Sequence, residues 1–133
     1  MTKLDHIGIA VESLEEALPF WRDLLGLKCT GVEDVPTEKV RVAFLQAGST
    51  RIELLEPTAP DSPVRRHLER RGPGIHHLAL GVDDIRGRMS SLEKAGKPAL
   101  DEAPRPGAEG KQVTFLHPRH AGGVLVELCQ EDG

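Results

Sequence analysis

Two histidines and two glutamates in this sequence recur as matched pairs. Asp5-His6-Ile7-Gly8-Ile9-Ala10-Val11 resembles His76-His77-Leu78-Ala79-Leu80-Gly81-Val82 at an offset of 71. Phe44-Leu45 meets Phe115-Leu116 at the same offset, and Ile52-Glu53-Leu54 meets Val126-Glu127-Leu128 at an offset of 74. The repeat maps His6 onto His77 and Glu53 onto Glu127. Imidazole nitrogens and carboxylate oxygens form a mixed donor set that suits Mn, Fe, Co, Ni or Zn. Four such ligands on a six-coordinate ion leave two positions for a chelating substrate. Read one at a time, the same residues have plainer explanations. A histidine at a strand start is commonly a satisfied surface or core residue, and either member of His76-His77 could be the idle one. A glutamate in an apolar strand can face solvent. The recurrence of both types at the same places in both halves favours a metal site made of His6, Glu53, His77 and Glu127.

The elements that must position these groups also repeat. Ile7, Ile9 and Val11 alternate, as do Leu78, Leu80 and Val82, and each set reads as a strand. Alternation puts His6, Gly8 and Ala10 on the face opposite the apolar residues, and likewise His77, Ala79 and Gly81. Small neighbours leave an open trough beside each histidine. Glu53 and Glu127 each lie between two apolar residues and point the same way. A capped helix follows each first strand. In the first half Ser13 caps, Glu16 completes a capping box, and Leu14, Ala17, Leu18, Trp21, Leu24 and Leu25 run at helical spacing up to Gly26. In the second half Asp83 or Asp84 caps, Ile85, Met89 and Leu92 form the stripe, and Gly96 ends it. Three strand-like runs follow in each half: about 28–32, 40–46 and 51–56, then about 99–102, 111–116 and 124–130. Each half is therefore βαβββ. The linker holds Pro57, Pro60, Pro63 and Pro73, and predicts a short helix over 62–71 with Ser62 as cap and Pro63 in its first position.

With 133 residues, 38% hydrophobic and 29% charged, the chain is long enough to bury a core without staples. The net charge of −4, with three Phe, one Trp and no Tyr, argues against nucleic acid as a partner. No apolar run is long enough for a membrane span or follows a basic start as a secretory signal does, so cytoplasmic residence is expected. Cys29 and Cys129 lack CxxC spacing and read as small hydrophobes rather than a disulfide framework.

Taken together, the βαβββ pair and its His, Glu, His, Glu set resemble the vicinal oxygen chelate superfamily. Within it the chain resembles the methylmalonyl-CoA epimerase family along nearly its whole length. The matching stretches include Asp5 to Val11, Ile52 to Pro57, Ser62-Pro63-Val64, Gly74 to Ala79, Phe115-Leu116-His117-Pro118 and Gly122 to Leu128. The resemblance implies an α+β fold, with two tandem βαβββ modules in pseudo-twofold symmetry forming a curved mixed sheet around a metal site. It implies one domain over 1–133, with the repeat at about 3–57 and 74–130 and a linker at 58–73. It implies a divalent metal (Co, Mn, Ni or Zn) on His6, Glu53, His77 and Glu127, an acyl-CoA substrate and a homodimer. The implied reaction interconverts (R)- and (S)-methylmalonyl-CoA by removal and return of the C2 proton through a metal-stabilised enolate. Glu53 and Glu127 are the candidate catalytic groups. One departure concerns Val42, which stands where some family members have a carboxylate; Glu38 stands where many have Gln. Glyoxalase I-type lactoylglutathione lyases share the ligand set, but they tend to carry Asp-Pro-Asp-Gly where this chain has His117 to Gly123. His117 and His120 read as a solvated turn. Arg65, Arg66, Arg70, Arg71, Arg105 and Lys111 are cations that could meet coenzyme A phosphates, although a solvated helix face is the default for the first four.

Overall fold

The computed structural model describes residues 2–131, which form two compact units, 6–76 and 77–131 with residues 2–5. The first unit contains β1 (Lys3–Ala10, from His6 onward), α1 (Leu14–Leu18), β2 (Lys28–Val35), β3 (Val40–Ala47), β4 (Thr50–Pro57) and α2 (Pro63–Arg71). The second contains β5 (Gly74–Gly81, from His77 onward), α3 (Ile85–Lys94), β6 (Arg105–Pro106), β7 (Gln112–Leu116) and β8 (Val126–Gln130).

The strand pairings repeat along with the sequence. β1 runs parallel to β4, which pairs antiparallel with β3, and β3 pairs antiparallel with β2. In the second unit β5 runs parallel to β8, β8 antiparallel to β7, and β7 antiparallel to β6. Gly8 lies opposite Glu53 as Ala79 lies opposite Glu127, and Phe44 and Phe115 take the other side of those glutamates. The ties between strand and helix repeat too. Val11 N–H donates to Leu55 O at 3.0 Å and Val82 N–H to Cys129 O at 2.8 Å. The first helical amides of α1 and α3 are both satisfied by the ends of the last strands. Leu14 N–H donates to Glu56 at 2.8 Å and Ile85 N–H to Gln130 at 2.7 Å. Ser13 and Asp84 add the side-chain caps, accepting from Glu16 N–H and Gly87 N–H.

The apolar alternation packs each strand face onto its own helix. Ile7, Ile9, Val11, Ala43, Leu45, Ile52 and Leu54 gather with Leu14, Ala17, Leu18 and Trp21. Leu80, Val82, Leu116 and Leu128 gather with Ile85, Met89 and Leu92. Burying a side chain such as Leu54 contributes about 2 kcal/mol each time, and this fixes which face of each strand is left for His and Glu.

Three expectations need correction. The first helix does not run regularly to Leu25: after Leu18 it widens into a π-helical stretch, Pro19–Leu24, with Leu25 N–H reaching back to Phe20 O. Pro19 has no N–H to continue the α ladder, and the turn re-forms with a longer reach. Residues 99–102 are not a strand; the edge strand of the second unit is the two-residue β6. Pro98 and Pro104 remove ladder donors on both sides, and the Asp101 carboxylate is committed to Thr114 Oγ1 at 3.0 Å. β8 starts at Val126 rather than Val124, because Gly122 and Gly123 take positive φ and Val124 N–H closes the turn onto Ala121 O. The linker helix forms as expected, with Ser62 Oγ accepting from Val64 N–H at 3.2 Å.

Candidate metal centre

In the first unit, β1 brings His6 and β4 brings Glu53 to the same sheet face. His6 is 5% exposed and Glu53 4%, and Nδ1 of the histidine lies 3.3 Å from Oε2 of the glutamate. In the second unit His77 is 5% exposed and Glu127 7%, with Nε2 3.0 Å from Oε1. Of the adjacent histidines, His77 is the buried one; His76 sits edge-on to His67, ring centroids 5.1 Å apart.

Each pair has the spacing of two ligands on one ion. Two ligands each about 2.1 Å from a metal stand about 3.0 Å apart at a right angle and about 3.4 Å apart at a tetrahedral angle. The observed 3.3 and 3.0 Å lie in that range. They also suit an imidazole N–H donating to a carboxylate. The donor set, one nitrogen and one oxygen per unit, is of the borderline kind that binds Co, Mn, Ni or Zn.

Aromatic rings flank both glutamates, and each ring carries a guanidinium. Phe44 is buried and Arg51 Cζ lies 4.9 Å from its centroid. Phe115 packs edge-on to His77 at 5.6 Å, and Arg105 Cζ lies 5.9 Å from its centroid. Arg51 also donates from Nη2 to Glu53 Oε2 at 3.0 Å. Neither ring–cation contact nor the Arg51–Glu53 pair is anticipated in the sequence reading. Arg51 lies two residues before Glu53 in a strand, so alternation alone puts it on the glutamate's face.

Other candidates fall elsewhere. Lys111 spends its charge on Asp5, with Nζ 3.1 and 3.3 Å from the two carboxylate oxygens, and Arg105 lies 3.3 Å from Asp101. Arg65 pairs with Glu12 at 3.0 Å, while Arg66, Arg70 and Arg71 are exposed on α2. His117 and His120 occupy the 3₁₀ turn Pro118–His120 and its cap. Val42 is buried in β3 opposite Leu55. Cys29 and Cys129 are free thiols; burial above all, and then the charges of Asp5 and Glu127, pushes the Cys129 thiol far up, so it stays protonated. No helix among the described residues is long and apolar enough to cross a membrane.

Residues 5–115 match the model of the glyoxalase/bleomycin resistance protein/dioxygenase superfamily. The mitochondrial methylmalonyl-CoA epimerase of Mus musculus is 41% identical over 129 residues, covering 96% of this chain and 72% of its own. The ethylmalonyl-CoA/methylmalonyl-CoA epimerase of Cereibacter sphaeroides is 41% identical over 130 residues, covering 96% of this chain and 97% of its own. A solved methylmalonyl-CoA epimerase in complex with methylmalonyl-CoA and NH4+ superposes with a TM-score of 0.95 at 35% identity, covering 100% of this chain and 96% of that one. The chain belongs to this superfamily and, within it, to the methylmalonyl-CoA epimerase family.

Proposed function

We propose that this chain is a metal-dependent epimerase that interconverts (R)- and (S)-methylmalonyl-CoA. The carrying observation is the buried His–Glu pair built twice, in the same strand register, in a chain of the epimerase family. His6, Glu53, His77 and Glu127 would hold one divalent ion, of Co, Mn, Ni or Zn. When bound, the ion supplies Lewis-acid stabilisation of negative charge developing on the thioester oxygen.

The remaining work falls to side chains. The C2 proton is weakly acidic, and inverting the centre needs two groups flanking the carbon or one that moves between faces. Glu53 and Glu127, one in each module, are the candidates to take that proton and to return it on the opposite face. Val42 cannot carry a proton and is packed in β3. Phe44 and Phe115 stand opposite the two glutamates, and both glutamates are buried. Burial lowers the local dielectric and strengthens the charge interactions there.

The reading also takes the protein as a homodimer, supported by the exposed side chains of Phe20, Leu24 and Leu25 on one helical stretch. Light scattering in solution tests that assembly. The activity is tested by supplying one pure epimer of methylmalonyl-CoA to metal-loaded protein. Appearance of the other epimer, abolished by chelator and restored by Co2+ or Mn2+, supports the assignment. Absence of inversion in a folded, metal-loaded protein refutes it.

A further inference from the structure

The internal repeat makes Glu53 and Glu127 equivalent in the sequence, but their surroundings differ. Oε2 of Glu53 is approached by two donors at once, Arg51 Nη2 at 3.0 Å and His6 Nδ1 at 3.3 Å. Arg51 is not a loose surface cation. Its side chain is 15% exposed, and its guanidinium lies over the ring of Phe44, which stands directly opposite Glu53 in the β3–β4 register. At the offset of 74 that relates the last strands, the residue matching Arg51 is Leu125, which has no charge to offer Glu127.

An arginine stays protonated at every working pH and spends carboxylate lone pairs that a metal would otherwise use. Its positive charge also opposes a cation bound to the same carboxylate. We propose that Arg51 is a positioning residue that draws Glu53 toward itself and weakens its hold on the metal. Glu53, held by Arg51, is the carboxylate that can leave the ion and act on substrate. The inference rests on the metal site proposed above and divides its labour between two glutamates that the repeat makes look alike.

The test is metal affinity, which needs no substrate. Apoprotein is titrated with Co2+ against a chromophoric chelator, for the wild type and for R51M, R51Q and R51K. The neutral variants are expected to bind Co2+ about five- to tenfold more tightly, since a like charge beside a ligand is gone. R51K keeps the charge and is expected to stay within about twofold of wild type. In an E53Q background R51M should change the affinity little, because the residue through which Arg51 acts has lost its charge. R51Q covers the case in which R51M does not fold, each variant being checked by cooperative thermal melting. Unchanged or weaker Co2+ binding in the folded neutral variants overturns the inference while leaving the metal site intact. A wild type that binds no Co2+ overturns both.

Discussion

Lys111 and Asp5 form a largely buried ion pair that ties the residue before β7 to β1, one residue before His6. Lys111→Met removes the charge and keeps most of the aliphatic stem. The two side chains are 11% and 10% exposed, and Nζ lies 3.1 and 3.3 Å from the two oxygens. At 3.1 Å and an effective dielectric of about 20, the pair attraction is about 5 kcal/mol. Removing one partner of a buried pair typically costs about 3–5 kcal/mol, because the remaining charge stays desolvated. With about a tenth of each side chain still in water, the expected loss for Lys111→Met is about 2–4 kcal/mol. Asp5→Asn should cost a similar amount, and the double variant at least about 1 kcal/mol less than the sum of the singles. Urea unfolding at constant m-value reads these differences directly. Additive singles, or a Lys111→Met loss below about 0.5 kcal/mol, would show that solvent already screens the pair and that the reasoning fails.

Other consequences are open to direct measurement. Leu54 is fully buried in the first module's core, and Leu54→Ala should lower stability by about 2–5 kcal/mol in the same unfolding assay. His67 is held below the usual histidine range, first by burial and then by the Arg71 charge. The folded protein therefore favours the neutral ring. Whatever stability this adds is present above the ordinary histidine pKa of about 6.5 and is lost as pH falls from there toward the lower folded value. The NMR titration midpoint of the His67 ring should lie below that of a free histidine, and an equal or higher midpoint would contradict the assignment.

The repeat carries most of what the sequence reveals. It places His6, His77, Glu53 and Glu127 by strand alternation, because the face opposite an apolar face is set once packing is known. Edges and interruptions follow different physics. Residues 99–102 lack a ladder because Pro98 and Pro104 flank them, and a short apolar run cannot reveal that its neighbours lack donors. The π-helical turn after Leu18 arises from Pro19, which the helical stripe of Leu14 to Leu25 hides. Arg51 escapes attention because a cation in a strand resembles any surface cation. Only the ring of Phe44 beside it and the carboxylate two residues on show where its charge is used.

The central claim is that carboxylates beside a divalent ion move the C2 proton of methylmalonyl-CoA. The most direct measurement is incorporation of solvent deuterium at C2 in D2O, with metal-loaded wild type and with metal-loaded Glu53→Gln. The account predicts rapid exchange in the wild type that chelator abolishes, and a loss of at least about a hundredfold in the variant, the usual scale for a positioned acid–base group. No exchange by the folded, metal-loaded wild type, or exchange indifferent to chelator and to Glu53→Gln, would contradict it.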